Sequence, residues 1–558
     1  MTAGAGALVD RVRAIGDGLW RLRAGLGRPW RGLRRKMPAR LLIAPQELEP
    51  GDPAIALDMY AGQFLLAGRS VQVRGQSPFT VAPPPAAWLH ELHGFAWLRH
   101  FRESDAALIR QYARALVDDW LGDRAARRHA AACLPEVMAS RMMAFLVNSP
   151  LLLTGADHAF YLRFLKALAG LAADLEPVAR RRALGPVRLA AAISLAAYVL
   201  CALSEEKPMR RATRLLEEAL DETVLADGCP LDRNPQRAIE LASLLLPLRT
   251  AYVARGRAVP PAVQGAIERL LRFIRLLRHP SGDMALFNGM GASRFDLIGT
   301  IMDFDDAREE PNAEAGGYQR FSRGGTVVIA DTGAAVAHRL SGRLHASALA
   351  FEMSAGHEKI VTGCGAGPAG LGDLCEALRE TAAHSTLAFD GVSELEFQPS
   401  RRPDGSDERL AMTPPRTIPP QREADVDGDR LTMAAEGYRR RFGLLHRRKL
   451  SLSADGGHLA GIDWLEPAGR AATAPPQAYL RFHLSPRVSA DLQQGDTIVQ
   501  LGLPDGAVWS FEAGGRMLRL EESIYLGGLA SQRRSRQIVV AMDGEEIAWS
   551  FVCRRPGV

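Results

Sequence analysis

Across residues 88–277 the apolar residues recur at three- and four-residue intervals. One stripe runs Leu108, Ile109, Tyr112, Leu116, Trp120, with Ser104 ahead of it as a candidate cap. Others are Phe160, Phe164, Leu165, Leu168 and Ile267, Leu270, Leu271, Ile274. That period puts each stripe on one face of an α-helix, and Gly- or Pro-bearing breaks separate them. Seven or more helices with short loops and no strand between them predict a helical array or toroid, here over residues 41–310. Near Gly316 the pattern changes. Short β-rich runs follow at 325–331, 348–353, 387–390, 431–434, 449–452, 479–483, 497–501, 508–511 and 538–542. The pairs Asp455-Gly456, Asp505-Gly506 and Asp543-Gly544 are hairpin turns. Many short strands with frequent turns predict an antiparallel β-sandwich over 311–558. Residues 41–85 read as irregular structure with short strands such as 70–73, and 398–429 as a long surface loop. The fold class is α+β, helices first.

Charge changes this picture at one end. The formal net charge is +6, but residues 1–40 hold ten Arg or Lys against Asp10 and Asp17. The arm is thus +8 and residues 41–558 are −2. A body of that charge, with no basic motif interleaved with aromatics, excludes nucleic acid as an expected partner. The arm reads either as an amphipathic helix lying on an anionic membrane surface or as a solvated extension. Asp10, Arg11, Arg13 and Asp17 interrupt its apolar residues, so no signal-peptide core is expected. The most apolar run, 186–204, contains Arg188 and reads as a buried helix rather than a membrane span. These features predict a cytoplasmic chain. Six scattered cysteines without a CxxC pair read as reduced thiols. Five lysines stand against 64 arginines, a preference that a GC-rich gene explains.

Three motifs invite chemistry that their surroundings do not support. Gly365-Ala366-Gly367-Pro368-Ala369-Gly370 spells GxGxxG, but no parallel strand–helix unit surrounds it, so it reads as a loop between strands. His90-Glu91-Leu92-His93 lacks the i,i+4 spacing that two zinc ligands need. What remains there is an aromatic stripe, Trp88, His93 and Trp97, suited to core packing or to a sugar-stacking floor. Asp303, Asp305, Asp306, Glu309 and Glu310 could supply paired carboxylates for glycoside hydrolysis, or form a solvated loop. His345 is different. Alternation along 344–356 would put His345, Ser347, Leu349, Phe351 and Met353 on one sheet face. His384 heads the next β-run, and two histidines at such places point to a shared site as readily as to packing.

At these residues the chain resembles the heparinase II/III family of polysaccharide lyases. GYQRFSRGGTVVIADTG (317–333), LHASALAFEMSAG (344–356), RETAAHSTLAFDG (379–391), HRRKLSLSADGGHLAGIDWLE (446–466) and LRFHLSPRV (480–488) carry the match. LHGFAWLR (92–99), SRMMAFL (140–146) and DGCPLDRNPQ (227–236) extend it into the helical half. The resemblance implies a toroid and a β-sandwich, with an acidic poly- or oligosaccharide held in a cleft between them. It also implies β-elimination, in which the C5 proton of a uronate is removed and the C4 oxygen expelled. Donors must neutralise the carboxylate as negative charge develops, and a base and an acid must move the protons.

The family pattern gives neutralisation to an Asn or His of the helical domain, base or acid work to a Tyr, and assistance to a β-domain His. Asn234 matches the first position and His345 the last, which makes them the expected catalytic pair. Arg237 stands beside Asn234, and Arg141 is similar to a cleft arginine whose planar fork suits a carboxylate or sulfate. His93, Asn288, Tyr318 and His384 complete the expected lining. The tyrosine is missing: LFNGMG (286–291) offers Asn288, and Tyr318 and Tyr252 are nearest by context. Some family members bind a metal in the β-domain through two Asp and one His. Here His384 matches, but Ser347 and Thr362 stand at the other positions, so no metal or other cofactor is expected. A hydrolase, or a non-catalytic glycan-binding or assembly protein, remain alternatives on the same architecture. The resemblance also points to the periplasm or cell envelope, against the cytoplasmic reading of the N-terminus.

Overall fold

The computed structural model describes residues 37–555, apart from 82–83, 105, 308–312, 334–335, 369–370, 403–404, 413–417, 494 and 529–531. Nearly all of the basic arm, residues 1–36, lies outside the described residues, as do Glu309, Glu310 and the last two residues of the GxGxxG loop. The helical part is built on Ala107–Gly122, Pro135–Val147, His158–Ala179, Pro186–Ala202, Glu206–Thr223, Pro235–Ala254 and Pro261–Leu277. Four of these open on proline, where the N–H it lacks would have had no intrahelical acceptor. Asp157 and Asn234 cap their helices by accepting from Phe160 N and Gln236 N. Ser104 does not cap Ala107–Gly122; that place belongs to Ala106, and Ser104 Oγ accepts only the Ala106 N–H at 3.4 Å.

Pro186–Ala202 is buried along nearly its whole length and packs against four of the other long helices. Its Arg188 donates to Ala179 O and pairs with Glu218 and Glu222, so the one charge in that apolar run is fully engaged. Among the described residues no helix is long and apolar enough to cross a membrane.

The C-terminal part is two antiparallel sheets. One runs Leu518–Tyr525, Arg533–Ala541, Ala478–Leu484, Glu358–Thr362, Phe351–Ala355, Thr326–Asp331, Tyr318–Arg323, Ala313–Ala315, with Leu387–Phe389 also paired to Ala478–Leu484. The other runs Gln421–Ala424, Gly428–Ala435, Leu444–Ser453, His458–Pro467, Glu546–Arg555, Val508–Glu512, Ile498–Gly502, Ser489–Gln493. Between them lies an aromatic core in which Phe351 stacks on Trp549 at 5.4 Å and Phe482 meets Trp549 edge-on at 4.9 Å.

Two expectations change here. Residues 398–429 are not one loop: Phe397–Arg401 and Asp407–Ala411 form a hairpin, and Gln421–Ala424 is a sheet-edge strand. Most residues of these strands stay at least partly exposed, so no buried face imposes alternation on the sequence. Nor is 345–349 a strand. Leu349 takes φ 60°, Ala350 N donates to Ser347 O, and the chain turns onto the end of Thr326–Asp331 through Leu349 N to Asp331 O at 2.8 Å. The strand begins only at Phe351, and His345 sits in a loop after the 3₁₀ turn His338–Arg343.

Candidate functional site

Two walls meet around the residues singled out in the sequence. The helical wall supplies Arg233 and Asn234, at the start of Pro235–Ala254, and Asn288 from the loop after Pro261–Leu277. The β-wall supplies Tyr318, Asp331, His345, Ser347 and His384. Asn288 joins them. Its Nδ2 donates to Tyr318 Oη at 2.5 Å and to Asp331 Oδ2 at 3.1 Å, while its Oδ1 accepts the His345 N–H at 3.2 Å. Tyr318 Oη donates to Arg233 O at 2.7 Å, Arg233 Nη2 pairs with Asp331 Oδ1 at 2.6 Å, and Ser347 Oγ donates to Asp331 Oδ2 at 2.8 Å. Arg233, Asn288 and Leu349 all hold positive φ, of 56°, 45° and 60°. Strain of about 1 kcal/mol each persists where the surroundings over-determine the backbone.

Asn234, Asn288, Tyr318, His345 and His384 are all buried. Burial raises the Tyr318 hydroxyl well above its usual range. A phenol so held keeps its proton, and its oxygen is already bonded twice. The histidines differ. Their rings lie 5.3 Å apart, burial lowers His345 far below its usual range, and burial brings His384 down to about 4. Among the described residues, His345 Nδ1, both ring nitrogens of His384 and Asn234 Nδ2 have no hydrogen-bond partner. His384 therefore does not tie the β-domain together by hydrogen bonds.

The other expected ligand-binding residues have different work. Arg141 is buried over Trp120 at 4.4 Å and donates to the carbonyls of His93 and Ala132. Burial lowers it to about 9. His93 is also buried, accepts from Trp120 Nε1 at 3.2 Å, and is lowered by burial to about 3. With Trp88 and Trp97 buried too, the stripe is core and not a sugar floor. Aromatic packing encloses both Arg141 and His93. Arg237 does stand beside Asn234, but Asp232 at 3.6 Å and Glu240 at 2.8 Å flank its guanidinium.

Asp331, Arg233 and Glu352 were not singled out by sequence. Glu352 Oε1 accepts from Leu286 N and Gly363 N at 2.9 Å, and its Oε2 meets Lys359 Nζ at 2.9 Å and His279 Nε2 at 3.1 Å. Thr362 Oγ1 donates to Glu352 and Ser347 Oγ to Asp331, so both hydroxyls serve buried carboxylates. Among the described residues no group of three or more His, Cys, Asp or Glu is arranged to hold a metal. The glycine loop packs against the helical wall, Ala366 N donating to Met290 O at 2.9 Å. Asp305 is held by Arg275 through two bonds of 2.7 and 3.0 Å.

Comparisons with known proteins agree with this architecture. Residues 305–550 match the family described as heparinase II/III-like, C-terminal. FtsZ-localized protein C of Caulobacter vibrioides (strain NA1000 / CB15N) is 29% identical over 568 residues, spanning 96% of this chain and 93% of that protein. Heparinase III superposes with a TM-score of 0.68 at 12% identity, over 91% of this chain and 85% of that one. A mutant of heparan sulfate lyase HepC from Pedobacter heparinus gives 0.59 at 14% identity, over 97% and 88%. At such identities the structures establish shared fold rather than shared chemistry. Residues 305–550 thus match the heparinase II/III-like C-terminal domain, and the whole chain shares the fold of these solved structures, a helical toroid joined to a β-sandwich.

Proposed function

We propose that this chain binds an acidic glycan between its two domains without cleaving it by tyrosine-dependent elimination, and that it works as an assembly protein together with FtsZ. The observation that carries the reading is at position 288. Where the family pattern calls for a tyrosine, an asparagine stands with its amide fully engaged by Tyr318, Asp331 and His345. The tyrosine closest to it, Tyr318, keeps its proton and bonds Arg233 O. Proton abstraction and leaving-group protonation then lack their usual carrier. The test is a panel of uronate polymers and sulfated glycosaminoglycans mixed with the full chain. Binding by calorimetry with no absorbance growing near 232 nm supports the reading; a steady rise at 232 nm overturns it.

One observation favours a second reading, elimination with Asn234 neutralising the carboxylate and His345 moving the proton. Asn234 Nδ2 and His345 Nδ1 are unpartnered, and His345 is a neutral imidazole, the form a base needs. Under that reading a 232 nm product appears and is lost in His345→Ala.

The FtsZ association rests on the relative's name and its identity along nearly all of both chains. Co-pelleting of the purified chain with FtsZ polymers tests it. The +8 arm is assigned to a membrane surface by charge alone. Flotation with anionic vesicles, compared for the full chain and a form lacking residues 1–36, tests that assignment.

A further inference from the structure

The helix Glu206–Thr223 carries its charges in the reverse of the order that a helix dipole favours. Lys207, Arg210, Arg211 and Arg214 stand exposed in its first half, and Glu217, Glu218, Asp221 and Glu222 fill its second. Acids stabilise an N-terminal end and cations a C-terminal one, so this arrangement costs stability. The acids have a task inside the fold, because Glu218 and Glu222 neutralise the buried Arg188. The cations meet acids at the surface instead. Arg211 pairs with Glu176 at 2.8 Å, Arg214 stands 3.8 Å from Glu218, and Arg210 shares the carboxylate of Glu206 with Arg257. Two guanidiniums on one carboxylate leave positive charge in excess there.

A cavity of about 330 Å³ opens beside this excess. The first half of Glu206–Thr223 forms one wall with Met209, Arg210 and Thr213. The end of Pro235–Ala254 and the turn after it form the other with Tyr252, Arg257 and Pro260. The turn is fixed: Gly256 takes φ 61°, and the N–H groups of Arg255 and Arg257 both donate to the Tyr252 carbonyl, at 3.2 and 2.9 Å. Tyr252 lies near the end of its helix opposite the Asn234 cap, about 27 Å along the axis at 1.5 Å per residue. The cavity is therefore remote from the domain boundary.

Arg210 and Arg257, with side chains 79% and 35% exposed, stand at the rim, and Tyr252, 2% exposed, lies at the floor. Tyr252 Oη is 2.9 Å from Thr213 Oγ1. Two hydroxyls carry two protons and this bond uses one, so one O–H is left to donate. Burial raises the Tyr252 hydroxyl above its usual range, which keeps its proton in place. We propose that the cavity is a binding site for a small organic anion. Its carboxylate or phosphate group takes Arg210 and Arg257 from Glu206, its apolar body lies on Met209 and Pro260, and a hydroxyl oxygen accepts from the Tyr252–Thr213 pair. The site belongs to the helical domain alone and does not depend on the glycan reading.

Calorimetry on the full chain with 4-hydroxybenzoate, 4-hydroxyphenyl phosphate and neutral 4-hydroxybenzamide tests the site. At least one anion should bind with a dissociation constant of about 1 mM or below, and the amide about tenfold more weakly, the difference expected for a charge-assisted contact. The tighter of the two anions identifies the group as carboxylate or phosphate. Arg257→Gln should weaken that anion about tenfold. Glu206→Gln should tighten it about threefold, because the competing carboxylate is gone, and a disturbed fold would not produce a gain. Arg214→Gln removes a cation of the same helix that does not line the cavity, and should stay within about twofold of wild type. If Arg214→Gln loses as much as Arg257→Gln, the anion feels only a diffuse field and the site falls. It falls too if the amide binds as tightly as both anions, if Glu206→Gln weakens binding, or if neither anion binds below about 10 mM.

Discussion

Two buried polar clusters lie at the same domain boundary and are finished to different degrees. Around Glu352 every group is matched: backbone N–H groups of Leu286 and Gly363, the Thr362 hydroxyl, the Lys359 ammonium and the His279 ring all meet one carboxylate. Burial alone would raise Glu352, yet Lys359 and His279 take it down to about 2. Around His345 and His384 the partners stop short, and four nitrogens remain unmatched. Buried polar groups are normally paired because leaving one unpaired costs about 1–3 kcal/mol. The saturated cluster thus holds helix to sheet, whereas the unsaturated one gives up stability and keeps donors and acceptors available.

The largest expected effect breaks the saturated side. Glu352→Ala leaves Lys359 buried without its anion and should cost about 3–5 kcal/mol, read as a lower urea midpoint. Acid should weaken the same cluster. Glu352 sits at about 2 in the folded chain against 4.5, and His279, lowered by burial, at about 4 against 6.5. Both folded values lie below the unfolded ones, so the unfolded chain binds more protons between them. Stability is then fully present above about pH 6.5 and falls as pH drops through these windows, on the order of 3 kcal/mol for the carboxylate. Urea midpoints at pH 7, 5 and 4 measure this; a flat profile in wild type would remove the cluster from its role.

A smaller effect is expected where one residue serves the unsaturated side. Arg379→Met deletes the bonds to Ser341, Leu344 and Arg409 carbonyls and should cost about 2–3 kcal/mol. Because two of those bonds hold the backbone just before His345, its imidazole should also react faster with diethyl pyrocarbonate than in wild type, followed by mass spectrometry of the labelled peptide. Unchanged labelling of His345 would mean the loop keeps its shape without Arg379.

The order of helices and sheets was legible because long stripes of period 3.6 and repeated Asp-Gly turns are local signals. Asn234 and His345 were legible through the family's motifs, and the structure brings both to one boundary. Arg141 and His93 misled, because a charged or aromatic residue in a helix reads alike whether it faces a cleft or is enclosed by Trp120. The turn at 347–350 was invisible, since nothing local marks Leu349 for a positive φ. Asp331 and Glu352 did leave a trace: each is an acid closing or interrupting an apolar β-run, GTVVIAD and LAFEMSA. Such a residue is costly in a sheet unless a partner waits for it. Lys359, one of five lysines in an arginine-writing chain, was the other half of that trace.

The smallest effect carries the sharpest contrast. His384→Leu replaces a buried ring, both nitrogens unpartnered, by an apolar side chain in a place walled by buried groups. If the imidazole has no partner, its removal forfeits no hydrogen bond and relieves the desolvation of two polar atoms. Against that stands the loss of some packing volume, typically under about 1.5 kcal/mol for a near-isosteric exchange. The two oppose each other, so stability should stay within about 1 kcal/mol of wild type, and a gain is the favoured sign. The same substitution on the saturated side, His279→Leu, strips contacts from Glu352 and Ser354 and should destabilise clearly. Urea midpoints for the pair read the comparison directly. If His384→Leu loses as much as His279→Leu, the two clusters are equally matched, and the distinction between a weld and a binding face disappears.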